Sequence, residues 1–157
     1  LRSDAQLLGE AQWVWLEEQL QVDADIRLIG SSIQLLADFT GWETWANFPQ
    51  ERQRFFTLLE RHQQEPVVII SGDVHWSDYS EIRASGMAWP LVELTSSGLT
   101  EEWKAISPNR HRVGEAFAVA NYGVIDIDWS AQVPAVSLQI KDQTGAVLLE
   151  RRETFLQ

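Results

Sequence analysis

Four β-branched residues follow one another at positions 67–70, and the run ends abruptly at Ser71-Gly72-Asp73. β-Branched residues favour extended backbone, and a strand that is apolar on both sides must be covered on both faces. Strands of this kind occur in the buried, parallel sheets of α/β proteins, where helices cover the sheet. The rest of the chain therefore has to supply both helices and partner strands.

The segments before this run supply them. Apolar residues at helical spacing predict an amphipathic helix over 8–21, and Pro49 marks the start of a second helix that runs to about Gln63. The stretch 25–33 is β-branched and reads as a strand, and 34–48 lacks clean periodicity and reads as a long loop. This alternation predicts an α/β layer with a parallel pair of strands.

After the run the pattern changes to strands separated by turns. The segments 90–97, 117–129 and 135–155 each have strand character, and "DQTG" at 142–145 predicts a hairpin. The chain should therefore end as antiparallel sheet. Because no repeat or linker interrupts it, residues 1–157 are expected to form a single domain.

Composition excludes several classes of function. A formal net charge of −11 repels phosphate backbones, so nucleic acid is not an expected partner. The absence of cysteine excludes disulfides, thiolate metal sites and a cysteine nucleophile, and it leaves the compartment open. No stretch has the roughly 18 apolar residues of a membrane-spanning helix, so membrane insertion is not expected.

Asp73 and His75 are the strongest candidates for chemistry. Ligand loops in α/β proteins lie at the carboxyl ends of strands, and in an extended loop residues i and i+2 point the same way. A carboxylate and an imidazole placed there can bind zinc, iron, manganese or calcium. The alternative is that Asp73 caps a turn and His75 is an ordinary, partly buried histidine. The residues alone leave both interpretations open.

Other polar groups have weaker signals. Asn109, Arg110 and His111 precede a further arginine, so this loop could hold a small anion through guanidinium contacts, or it could be a solvated basic loop. His62 falls at the end of a predicted helix, where it complements the helix dipole. Thr100 is expected to cap a short helical stretch.

The chain contains eight tryptophans, and several fall in or near predicted loops. Such residues either line a pocket for an organic ligand or pin loops to the core. A non-catalytic, tryptophan-rich module that binds a glycan or a partner protein is therefore the alternative to an enzyme. The motifs of kinases and dehydrogenases are absent, and no serine hydrolase triad stands out. The loop tryptophans are Trp42, Trp45, Trp76, Trp89 and Trp103.

Six segments together resemble the C-terminal half of the alkaline phosphatase D (PhoD-like) branch of the calcineurin-like metallophosphoesterases. They occur in the same order and at similar spacing over nearly the whole chain. They are "LLGEAQWVWLEEQL" with "IGSSIQ", "GWETWANFPQERQRFF", "VVIISGDVHWSDYS", "ELTSSGLT" and "NYGVIDIDW".

The resemblance implies a four-layer α/β/β/α sandwich of two mixed sheets flanked by helices, with a metal site at the strand ends. It implies hydrolysis of small-molecule phosphomonoesters or phosphodiesters with the help of bound metals. Carried over, Asp73 would bind one metal, for which calcium is expected, and His75 the other, for which iron is expected; manganese and zinc are alternatives. Asn109, Arg110 and His111 are candidates for contacts to substrate.

The resemblance also implies that motifs are missing. Family enzymes contribute further ligands from an N-terminal half, and this chain starts at Leu1 on a helix-like segment with little lead-in. We therefore expect a piece of a longer protein that is a poor catalyst by itself. Exposed sheet edges in such a piece predict self-association, or association with the missing N-terminal half.

Overall fold

The computed structural model describes residues 5–63, 65–83, 86–130 and 134–154. Helices and strands alternate in its first half, and strands alone follow. The elements are α1 (Glu10–Leu20), β1 (Arg27–Gly30), a 3-10 turn (Trp45–Asn47), α2 (Pro49–His62), β2 (Val67–Ser71), β3 (Ser77–Ile82), β4 (Leu91–Ser96), β5 (Asn121–Asp128), β6 (Ala135–Asp142) and β7 (Val147–Thr154).

The strands form two sheets. The first is mixed, with strand order β1-β2-β4-β3, in which β2 is parallel to both β1 and β4 while β3 is antiparallel to β4. The second is the antiparallel meander β5-β6-β7, whose hairpin turn places Gly145 at φ 87°. The predicted parallel pair and the predicted hairpin are both confirmed.

Both helices cover one face of the mixed sheet. Helix α1 buries Trp13, Leu16 and Leu20, and α2 begins with a proline, whose missing N–H costs nothing in the first turn. Their apolar sides form one core with Val67 and Ile69, which alternate with Val68 along β2. None of the described helices is long and apolar enough to cross a membrane.

The opposite face of the mixed sheet packs against the meander. Val68, Val92 and Leu94 share a second core with Val136 and Leu138 of β6. The order of layers is therefore helices, mixed sheet, antiparallel sheet, which confirms the predicted α/β sandwich with two sheets.

One strand was not predicted, and one local prediction is wrong. Strand β3 was missed because its sequence, "SDYSEI", carries four polar residues, and these are stabilised by partners distant in sequence rather than by apolar packing. Asp78, for example, is fully buried and receives a hydrogen bond from Arg112 Nε at 2.8 Å. Thr100 caps no helix, because residues 101–104 run without helical structure. There the backbone N–H of Trp103 donates to the carbonyl of His75 at 2.9 Å instead.

Candidate functional site

The loop after β2 has an unusual backbone. Asp73 has φ 75° and His75 has φ 57°, and they are the two non-glycine residues with positive φ in the described part of the chain. The expectation of an extended loop is therefore wrong, since the chain turns at both residues. Left-handed backbone is costly for side chains other than glycine, and such strain concentrates at functional sites.

Neighbouring segments hold this loop in place. The backbone N–H of His75 donates to Ser97 Oγ at 2.9 Å, and its carbonyl accepts from Trp103 at 2.9 Å. Gly98 lies between these two partners, and an added Cβ there would come within 2.9 Å of the Val119 carbonyl oxygen. The segment that follows β4 is thus fixed in contact with the loop that follows β2, as expected at the carboxyl ends of adjacent parallel strands.

Asp73 and His75 line the same pocket, which has a volume of about 230 Å³. His75 is partly exposed, and its Nδ1 lies 3.7 Å from Oε2 of Glu101. The structure thus brings together the two residues that the sequence singled out. The other lining residues are Trp42, Glu43, Val74, Trp76, Glu101 and Trp103.

Three of the loop tryptophans belong to this pocket. The rings of Trp42 and Trp103 meet edge to face, with centroids 5.6 Å apart. Trp76 is buried, and its indole Nε1 has no hydrogen-bond partner within the described segments. Trp45 and Trp89 instead belong to the two cores. Some of the loop tryptophans therefore line a pocket, and others belong to the hydrophobic cores.

The donor set fits a metal in part. A carboxylate and an imidazole on one loop match the ligand chemistry of iron, calcium, manganese or zinc. Among the described residues, however, no group of three or more His, Cys, Asp or Glu side chains is arranged to hold a metal ion. Asp73 and His75 can therefore supply part of a metal site, and further ligands would have to come from elsewhere.

The basic loop with Asn109, Arg110 and His111 does not border this pocket. The guanidinium of Arg110 pairs with Asp38 at 2.9 Å, and its Nε also donates to Nε2 of His111 at 3.2 Å. Burial and the charge of Arg110 lower the pKa of His111. Asn109 donates to Ser80 Oγ at 2.8 Å and borders a narrow cleft that shares Trp42 with the main pocket. None of the three candidate substrate contacts lines the main pocket.

A buried acidic residue supports the strands beneath the site. Glu93 on β4 accepts hydrogen bonds from the backbone N–H groups of Leu35 and Leu36, at 2.8 and 2.7 Å. Burial raises the pKa of Glu93 to about 7, and these two donors act in the opposite direction. The long loop before α2 is therefore tied to the mixed sheet through one carboxyl group. Sequence reasoning missed it because an isolated glutamate in an apolar strand does not reveal its partners.

The two packed sheets, with helices on one side and a polar loop at the strand ends, place the chain in the class of layered α/β sandwiches. The family model for the PhoD-like phosphatase matches residues 1–156, and the chain belongs to the PhoD-like phosphatase family. Members of this family are generally metal-dependent.

Two solved structures share the fold. GAP50, described as the anchor in the inner membrane complex of Plasmodium, superposes with a TM-score of 0.68 at 13% identity, covering 94% of this chain and 43% of that one. A structure of PhoD superposes with a TM-score of 0.60 at 17% identity, covering 99% of this chain and 37% of that one. The chain thus spans about two-fifths of the length of these neighbours. No curated protein sequence matches it significantly.

Proposed function

We propose that this chain contributes the Asp73–His75 metal-ligand loop of a phosphatase or phosphodiesterase of the calcineurin-like type. The observation that carries the proposal is the backbone of this loop, because two non-glycine residues are held at positive φ where β2 ends. A turn that only connected two strands would gain stability from glycine at these positions. Membership of the PhoD-like family supports a phosphatase-type reaction.

The roles of the residues follow from their chemistry. Metal cations at such a site would neutralise charge on the phosphoryl oxygens and lower the pKa of a bound water. The Asp73 carboxylate is a hard oxygen ligand of the kind that calcium prefers, and the His75 imidazole is suited to iron, zinc or manganese. Glu101, near Nδ1 of His75, would help to orient the ring.

Two ligands do not complete a metal site, since even a tetrahedral zinc site needs about four. The remaining ligands would come from a segment outside residues 1–157. This accords with the chain spanning only 37% of the PhoD structure that it resembles. We therefore expect residues 1–157 alone to hydrolyse phosphoesters poorly, and the full-length gene product to hydrolyse them well.

Hydrolysis of a chromogenic phosphomonoester and a phosphodiester tests the proposal, with calcium, iron, manganese and zinc added separately. In the full-length product, His75→Ala should lower turnover by about a hundredfold or more, since losing a residue that only hydrogen-bonds to a metal ligand already costs about 10- to 100-fold. His62→Ala is the matched control, because His62 pairs with Glu17 on the helical layer. Unchanged turnover in His75→Ala would contradict the proposal.

A further inference from the structure

The carboxyl group of Glu93 is buried where the core does not require it. Glu93 is fully buried on β4, and a leucine there would pack without the cost of removing a carboxyl group from water. Its two oxygens accept hydrogen bonds from the backbone N–H groups of Leu35 and Leu36, which lie 58 and 57 residues before it in the chain. This carboxyl group therefore holds a distant loop rather than its own strand.

The same two loop residues are held from the other side by Arg52 of α2. Its Nε donates to the carbonyl of Leu35 at 2.7 Å, and its Nη2 donates to the carbonyl of Leu36 at 2.9 Å. The peptide group that joins Leu35 to Leu36 thus donates its N–H to a carboxyl group and accepts at its carbonyl from a guanidinium. Because these hydrogen bonds polarise one another, Glu93 and Arg52 together form a clamp on the two residues.

The clamp lies at the base of the loop that forms one wall of the main pocket. Residues 34–37 are buried, and the backbone N–H of Trp45 closes the base by donating to the carbonyl of Gln34 at 3.0 Å. Trp42 and Glu43 lie between these two points and line the pocket. The position of this wall therefore depends on how firmly residues 34–37 are held.

Titration of Glu93 acts on the clamp with a definite sign. Burial raises the pKa of Glu93 to about 7 while the clamp is closed, and water that reaches the carboxyl group after release returns the pKa towards 4.5. A proton therefore binds more tightly to the closed form, so a rise in pH between these values favours release. The other charged or titratable groups that act on the clamp are Asp78, which faces Glu93 from β3 and pairs with Arg112, and Asp38, Arg110 and His111, which lie near Arg52.

We propose that Glu93 and Arg52 form a pH-sensitive clamp on residues 35 and 36, which fixes one wall of the pocket and is released locally as the pH rises towards neutrality. On release, the loop leaves the mixed sheet while β2 and β4 stay paired. The wall that carries Trp42 and Glu43 is then held most firmly in mildly acidic solution. The clamp is independent of the proposed reaction, because it uses neither of the two candidate metal ligands.

Amide hydrogen exchange of the full-length gene product, read at single residues by mass spectrometry, tests the clamp directly. Protection factors remove the intrinsic pH dependence of exchange and report the free energy of local opening. Those of Leu35, Leu36 and Trp45 should fall by up to about twentyfold between about pH 5 and about pH 6.5 and should level off above about pH 7.5. The amides of β2 should be better protected than these three at every pH, since the sheet stays closed.

Four variants assign the effect to particular groups. Glu93→Gln has no proton to release and should lose the pH dependence. Arg52→Met removes both donors to the loop carbonyls, so it should lower the protection of the loop amides at least about tenfold and keep their pH dependence. His111→Gln should keep the wild-type profile, since the titration of His111 is not its source. Arg54→Met is the matched control for Arg52, because Arg54 lies on the same helix and pairs with Glu10 instead.

Constant protection of Leu35 and Leu36 from about pH 5 to about pH 7.5 would overturn the proposal. So would a pH dependence that a folded Glu93→Gln variant retains. Equal protection of these amides and those of β2 would show that the loop opens only when the whole chain unfolds, which also contradicts local release. The wild-type profile needs neither a substitution nor turnover. A pH-dependent clamp in a product that hydrolyses no phosphoester would therefore support the clamp and contradict the proposed function.

Discussion

Substituting His75 by glycine and by alanine separates the strain of its backbone from the role of its side chain. At φ 57° the residue lies in the left-handed region, where a Cβ crowds the following carbonyl oxygen. Alanine keeps this crowding and glycine removes it, and neither variant retains the imidazole. The difference in unfolding free energy between the two variants therefore reports the backbone alone.

Two opposing effects set the difference in unfolding free energy between the glycine and alanine variants. Left-handed backbone costs a non-glycine residue about 1–2 kcal/mol, whereas glycine gives the unfolded chain extra freedom that costs about 0.4–1 kcal/mol. His75→Gly should therefore be more stable than His75→Ala by about 1 kcal/mol. Ala105→Gly is the control, because Ala105 is an exposed loop residue without positive φ. There glycine should lower stability by about 0.4–1 kcal/mol.

Urea unfolding followed by tryptophan fluorescence measures these differences. With a slope of about 2 kcal/mol per molar urea, the midpoint of His75→Gly should exceed that of His75→Ala by roughly 0.5 M. A glycine variant that is equal to or less stable than the alanine variant would refute the idea that the loop stores strain at the ligand position. That result would remove the main structural support for a functional loop.

Two further predictions concern buried charge. The native Glu93 carboxyl keeps its proton up to about pH 7, whereas the unfolded one releases it near pH 4.5. The free energy of unfolding should therefore fall as the pH rises between these two values, by at most about 3 kcal/mol. Glu93→Gln should abolish this fall, and urea unfolding at about pH 5 and about pH 7.5 checks it; an identical pH dependence in both proteins would exclude Glu93 as its source. Arg112→Met leaves the fully buried Asp78 without its ion pair and should cost about 3–5 kcal/mol. Arg110→Met, at the exposed pair with Asp38, should cost less than about 1 kcal/mol in the same assay. Equal losses of stability in the Arg110 and Arg112 variants would contradict the greater cost expected at the buried pair.

The elements that the sequence predicted are those stabilised by a local apolar pattern. The run at 67–70 is a strand covered on both faces because Val67 and Ile69 meet the helices while Val68 meets the meander. Strand β3 gives no such pattern, since its buried Asp78 depends on Arg112, 34 residues further along the chain. Pairings of this kind are set by tertiary structure, so periodicity does not reveal them.

The candidate site, too, could be predicted from the sequence only in part. A polar pair after a buried strand marks Asp73 and His75, because strand ends are where side chains leave the sheet. The positive φ values at both residues are only weakly signalled, since Asp and His adopt left-handed backbone more often than most non-glycine residues but far less often than glycine. Nor does the sequence indicate that Trp42 and Trp103, 61 positions apart, meet at a 5.6 Å ring separation.

Metal binding by Asp73 and His75 can be measured on the imidazole resonances of the chain. The chain has three histidines, so His62 and His111 serve as internal controls for His75. Substoichiometric Mn²⁺, a paramagnetic ion that accepts oxygen and nitrogen ligands, should broaden the His75 resonances first, and Asp73→Asn should weaken this effect. Uniform broadening of all three imidazoles, or broadening that Asp73→Asn leaves unchanged, would show that these two residues do not bind a metal ion together.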